Sequence, residues 1–174
     1  MRFELPKIFV FYAGMSFVGG IWIYAANLPV IFFGTRGVAL AAWIAFGVFA
    51  LSNMCSEKTE WGKKLVELFA SFLTPSSNTT IFILALMSSL GEEILFRGAV
   101  QNQFGLIVAS LLFGLMHFPI KPIMMPWTLT AVIMGFVLGA LYQYAGNLMA
   151  PILLHFLINF LNIWAINQKY GLSK

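Results

Sequence analysis

Residues 79–102, TTIFILALMSSLGEEILFRGAVQN, set two adjacent glutamates and an arginine into an otherwise apolar run. A helix needs about 20 mainly apolar residues to cross the hydrocarbon core of a bilayer, and this stretch is long enough. Its apolar positions do not alternate as a barrel strand requires. Glu92, Glu93 and Arg97 are the formal charges that fall inside predicted spans, and each costs roughly 2.5–3.5 kcal/mol at a span's centre. Such a cost calls for a compensating role. Glu93 and Arg97 stand four residues apart on one helix face and can pair. Glu92 points about 100° away and lacks that partner. One carboxylate is then neutralised and structural, the other available.

The rest of the chain has the same character. Of its 174 residues, 60% are hydrophobic and 9% charged, with a mean hydropathy of +0.89. Soluble domains carry roughly 25% charged residues, so an ordinary globular fold is excluded and the apolar excess must face lipid. Within a bilayer every backbone polar group has to be bonded inside a helix or a closed barrel. The expectation is an all-α polytopic membrane protein, a single domain over residues 1–174 with about six transmembrane helices. The predicted spans are 8–28, 38–55, 79–102, 105–118, 127–145 and 148–167. Thr74 or Ser77 stands near the start of the third, with Pro75 discouraging an earlier one. Pro119, Pro122 and Pro126 mark a connection that cannot be helix interior. The N-terminal apolar run, behind Arg2 and Lys7, is too long for a signal-peptide core and shows no convincing cleavage site. It is read as the first span.

Ser56 to Glu67 is the most polar stretch, with six charges. Trp61, Leu65, Leu68, Phe69 and Phe72 recur there at helical spacing, while Lys58, Lys63, Lys64 and Glu67 can sit toward water. That pattern predicts one amphipathic helix lying in the membrane interface. The net charge of +4 does not point to nucleic acid, because the basic residues lie between apolar runs rather than in a patch. They report topology instead. Arg2, Lys7, Lys58, Lys63, Lys64, Lys121, Lys169 and Lys174 share one side of a six-span arrangement, and Arg36 alone is on the other. Both termini are therefore expected in the cytoplasm. The lone Cys55 excludes an intrachain disulfide.

Both histidines of the chain, His117 and His155, fall in predicted spans, and Asn159 lies one turn after His155. Spans three and four form a hairpin turning near Gln103–Gly105. At about 1.5 Å per residue, Glu92 and His117 then both lie roughly 15–20 Å below the outer surface. His155 follows the Gly146–Asn147 turn and comes to about 12 Å, with Asn159 about 6 Å deeper. Acid, imidazole and amide groups from three spans thus reach one level. Intramembrane polar residues can also serve as interhelical glue, and Gly135 and Gly139, one turn apart, are read as a close-packing face.

These residues fall into an ordered set: Glu92-Glu93-x-x-x-Arg97, then Phe113-x-x-x-His117, then His155-x-x-x-Asn159. In this order, on successive spans, they resemble the CPBP (Abi) family, which comprises type II CAAX prenyl endopeptidases and bacteriocin-processing enzymes and consists of glutamic intramembrane proteases. The similarity covers about residues 79–165, with the catalytic core taken as 79–167. The resemblance implies that Glu92 activates water with help from His117. His155 and Asn159 would stabilise the oxyanion, Glu93 and Arg97 would order the site, and Phe113 would pack beside His117. It implies no cofactor, a membrane-associated or lipidated peptide or protein as substrate, and a multi-pass location in a prokaryotic plasma (inner) membrane. Unlike the larger CAAX endopeptidases, this chain has about six predicted spans and no sizeable extramembrane domain.

The chemistry holds without the family. Peptide hydrolysis needs an activated water, donors for the developing oxyanion and a proton for the leaving amine. No serine or cysteine stands with the histidines as a nucleophile would. Two histidines and a glutamate are also zinc ligands, but the His-Glu-x-x-His helix is absent and asparagine is a poor ligand. A metal is disfavoured. Two other classes are weighed: a proton- or solute-coupled transporter using Glu92, His117 and His155 as a relay, and a non-catalytic membrane scaffold or immunity protein. No inverted repeat or pair of broken helices supports the transporter.

Overall fold

In a computed structural model of the protein, the residues described are 5–73, 76–119 and 121–171. Arg2, Thr74, Pro75 and Lys174, on which part of the sequence reading rests, lie outside them. The described residues form helices and no strand: α1 (Leu5–Ala25), α2 (Val38–Lys58), α3 (Glu60–Leu73), α4 (Asn78–Glu93), a π-helical segment (Ile94–Gln101), α5 (Asn102–Met116), a 3-10 turn (Pro122–Met124), α6 (Met125–Ala145) and α7 (Met149–Tyr170). The all-α expectation is met. Among the described residues, five segments are long and apolar enough to cross a membrane, and the third of them, Asn78–Met116, is 39 residues long.

That third segment is a hairpin. Gly105 has φ 85° and ψ 170°, a conformation open to glycine and costly for a side chain. The rings of Phe96 and Phe113 meet at 5.2 Å between centroids, although a straight helix would hold them about 25 Å apart. The chain therefore doubles back where the sequence placed the turn. Past Gly105 only residues 106–116 continue as helix, about 16 Å of rise against a hydrocarbon core of about 30 Å. His117, expected inside the fourth span, instead caps its end at φ −99° and ψ 30°.

Local chemistry explains most boundaries. Ser77 caps α4, its hydroxyl accepting from Thr80 N at 3.1 Å. Gly146, at φ 68°, ends α6 with its N–H on the Tyr142 carbonyl. Pro126, assigned from sequence to the connection, lies in the first turn of α6, where the missing N–H has no helical partner to lose. Ser56–Lys58, read as part of the amphipathic stretch, belong to α2. The break comes at Thr59, whose hydroxyl donates to Cys55 O at 2.7 Å and accepts from Gly62 N at 3.1 Å. Gly62, Leu65 and Ala70 form the buried stripe of α3, and Phe69 packs edge-on against Trp127. Trp61, read from sequence as part of the apolar face of an interfacial helix, is exposed on the bundle surface.

The helices approach closely because small residues face the contacts, as packing inside a membrane requires. Ala41 and Ala45 of α2 and Ala150 of α7 are fully buried and share one core with Phe96, Phe113, Leu138 and Leu154. A Cβ on Gly19 of α1 would lie 2.9 Å from Leu95 Cα, and one on Gly91 would lie 2.8 Å from the Tyr12 carbonyl oxygen. Both glycines are needed to bring α1 against the segment that carries the glutamates.

Candidate active site

Glu92 and Glu93 end α4, Arg97 lies in the π-helical segment, His117 caps α5, and His155 and Asn159 lie on α7. The fold brings the first five together. Arg97 Nη1 donates to Glu93 Oε1 at 3.1 Å, and His155 Nδ1 lies 2.8 Å from the same oxygen. Arg97 is also fixed from two other sides. Its Nη2 donates to the Gly135 carbonyl at 3.0 Å, and its guanidinium carbon lies 4.4 Å from the centre of the Phe113 ring. Arg97 and Glu93 are almost fully buried, a placement tolerable for charges only when they are paired.

Glu92 points toward two imidazoles, one of them the His155 ring that Glu93 also holds. Its Oε2 is 3.9 Å from His117 Nε2 and 3.9 Å from His155 Nε2. Neither separation is a direct hydrogen bond, and Oε2 is buried without a hydrogen-bond partner. The tautomers follow from the outer nitrogens. His117 Nδ1 is 2.7 Å from the Phe113 carbonyl, which can only accept, so Nδ1 carries the hydrogen. His155 Nδ1 is directed to the Glu93 carboxylate by the same logic. When neutral, both rings therefore present Nε2 lone pairs toward Glu92. Three acceptors converge on one space, an arrangement that calls for a proton or a proton donor between them.

The setting of His117 is built from its surroundings. Its ring lies 4.7 Å from Phe113 and 5.0 Å from Trp127, and its carbonyl accepts from Thr128 Oγ1 at 2.5 Å. Phe113 does pack beside His117, as the family resemblance implied. Beside Glu92 and His117 lies a cavity of about 160 Å³, walled by Phe11, Tyr12 and Met15 of α1 together with Phe96, Met116 and Trp127. At their far ends α1 and α5 touch through Trp22 and Phe104, whose rings are 5.9 Å apart. The cavity is lined by residues of their near ends.

Asn159 takes a different partner. Its amide nitrogen donates to Ser88 Oγ at 3.0 Å, and Ser88 donates in turn to Ala85 O at 3.1 Å. Sequence reasoning passed over Ser88, Trp127 and Tyr12. Tyr12 lines the same cavity as Glu92. A serine or tyrosine in an apolar run costs too little to stand out. Among the described residues, no group of three or more histidine, cysteine or acidic side chains is disposed to hold a metal ion.

Comparison with known proteins places this constellation. Uncharacterized protein YpbD of Bacillus subtilis (strain 168) is 38% identical over 81 residues, 45% of this chain and 41% of that protein. The chain thus spans less than half the length of this curated relative. No solved structure matches. The family described as type II CAAX prenyl endopeptidase Rce1-like matches residues 74–161, half of the chain and the part that carries Glu92 through Asn159. The resemblance read from the three motifs is borne out, and the chain belongs to the Rce1-like family of type II CAAX prenyl endopeptidases.

Proposed function

We propose that the protein is an intramembrane endopeptidase in which Glu92 activates water against a peptide bond of a membrane-associated substrate. The observation that carries this reading is the convergence of Glu92 Oε2 and two imidazole Nε2 atoms at 3.9 Å. That spacing suits one water hydrogen-bonded among them. Glu92 takes a proton as the water oxygen adds to the carbonyl carbon. His117, with Nδ1 anchored on a backbone carbonyl, steadies the water from the other side. The developing oxyanion is met by Asn159 and by His155 in its doubly protonated form, in which Nδ1 donates to Glu93 and Nε2–H is free to donate to the oxygen. An asparagine amide has two hydrogens to donate, and Ser88 takes one. When the C–N bond breaks, the proton held by Glu92 passes to the leaving nitrogen, so that water has been divided between the two products. Glu93 holds His155, and Arg97 ties Glu93 to the Gly135 carbonyl of α6. Phe113 serves as a wall.

Access follows from the short α5. Its helix ends about halfway through the membrane, and the described residues between His117 and Met124 are not α-helical. Backbone of that kind is tolerated at membrane depth where it is buried in protein or lines a water-filled cavity. Water reaches Glu92 from this side, which the charge distribution assigns to the cytoplasm. The peptide reaches it through the cleft between α1 and α5.

The test compares membrane peptides from cells carrying the native protein with those from cells carrying Glu92→Gln, followed by cleavage of the peptides identified using purified protein. Loss of the catalytic base is expected to lower kcat by about 10²–10⁴, and chelator treatment is expected to leave native activity intact. Full cleavage by Glu92→Gln would end the reading. Activity lost to chelation and restored by zinc would replace the activated water with a metal.

A further inference from the structure

The helix that the family match does not cover supplies a polar group to the site. Tyr12 and Glu92 line the same cavity. The approach is set by backbone. A Cβ at Gly91 would lie 2.8 Å from Tyr12 O and 3.3 Å from Tyr12 Cα, so Tyr12 rests directly on the residue before Glu92. Seven positions on, Gly19 meets the Leu95 backbone in the same way. These two contacts flank Glu92 and leave α1 little room to slide or turn. The other groups around Glu92 do not fix its orientation. Arg97 serves Glu93 and the Gly135 carbonyl, and both imidazoles have their Nδ1 atoms bound elsewhere.

We propose that Tyr12 is a positioning residue for Glu92, its hydroxyl donating to the carboxyl and turning Oε2 toward the two imidazoles. This rests on reading Glu92 as the base, and it extends the site to α1, outside the matched segment. The charged and titratable groups facing Glu92 are then Tyr12 from α1, Glu93 beside it, Arg97 from the π-helical segment, His117 from the end of α5 and His155 from α7. A carboxylate that loses a hydrogen-bond donor takes up a proton more readily, and a protonated carboxyl in apolar surroundings is the form that dicyclohexylcarbodiimide modifies.

The experiment measures carbodiimide modification of Glu92 by mass spectrometry, on the purified full chain in detergent at neutral pH. Tyr12→Phe keeps the ring and its packing and removes the donor. It is expected to raise the modification rate at Glu92 about tenfold, the order of one hydrogen bond to a charged group. Met15→Leu alters the same cavity wall with no polar atom involved and is expected to leave the rate at its native value. A native rate in Tyr12→Phe would overturn the proposal, as would an equal rise in both variants. If Tyr12→Phe fails to fold, 3-fluorotyrosine at position 12 is a stronger donor of nearly the same shape. It is expected to lower the rate, and an unchanged rate would overturn the proposal. Because labelling requires no cleavage, a negative result here leaves the protease reading standing. Full cleavage by Glu92→Gln would sink that reading instead.

Discussion

Consecutive helical residues point about 100° apart, and the two glutamates use that angle to separate two duties. Glu93 turns inward to Arg97 and His155, at 3.1 and 2.8 Å. Glu92 turns toward the cavity, with Oε2 unpartnered. The two positions should therefore respond differently to the same change. Glu93→Gln strips Arg97 of its counter-charge while leaving the guanidinium buried, and breaking a buried pair from one side costs about 3–5 kcal/mol. Glu92→Gln breaks no ion pair closer than 3.9 Å and is expected to stay within about 1 kcal/mol of the native protein. Unfolding of both variants in detergent measures the contrast, and equal losses would show that the carboxylates share the structural role. Glu92, Glu93, Arg97 and the two histidines were legible in the sequence because a charged or ionisable group in an apolar span demands an explanation. Tyr12 and Ser88 were not, since neither carries such a penalty and their partners lie on other helices.

The π-helical segment shows what periodicity cannot supply. Residues 94–101 have the apolar content of any span, and nothing in their spacing separates a π turn from an α turn. Its consequence is visible in the partners. Arg97 and Gln101 both reach α6, donating to the carbonyls of Gly135 and Gly139 at 3.0 and 2.9 Å. Behind them, Asn102 Nδ2 lies 2.8 Å from Arg97 O and 3.0 Å from Gly98 O, carbonyls in the middle of the π segment. A wide turn at a functional site is a recurrent use of π geometry. The Gly135–Gly139 face was legible as close packing, and the structure adds that it also receives hydrogen bonds from the arginine and the glutamine. A Cβ at Gly135 would lie 2.9 Å from Ser110 O and 3.0 Å from Ser110 Cα, backbone atoms that cannot step aside. Gly135→Ala should therefore push α5 from α6 and cost about 1–3 kcal/mol. Gly14→Ala, with nothing within 4 Å of the new methyl group, should be neutral or slightly stabilising. Thermal unfolding of the pair in detergent checks this, and equal stability would mean the α5–α6 contact can relax.

At the scale of the whole molecule, the bundle has two chemically distinct ends. At one, the Arg36 carbonyl accepts from Asn147, the Arg36 guanidinium lies over Tyr144, and Leu148 N donates to Ile31 O. At the other, Ser76 pairs with Asn167, and Phe69 meets Trp127. Lys7 near the start of α1, Lys58 at the end of α2, Lys63 and Lys64 on α3, Lys121 before α6 and Lys169 at the end of α7 all belong to the second end. The cavity beside His117 lies toward the lysine-rich end, and the positive-inside rule predicts that this end faces the cytoplasm. Glu92, His117 and His155 come together because the hairpin at Gly105 returns the chain where the residue counts had it return. The early end of α5 could not be read, since His117 and Phe118 continue the apolar run. Orientation itself can be measured. In a chain with Cys55 replaced by serine, a single cysteine is placed at Thr35 or at Lys121, and intact cells are treated with a membrane-impermeant maleimide. Position 35 should label in intact cells, and position 121 should label only after the membrane is opened. The reverse pattern would put the lysines outside and the site at the outer leaflet. Labelling of both positions in intact cells would mean that the Asn78–Met116 hairpin does not return across the membrane, and the route proposed for water would then have to be redrawn.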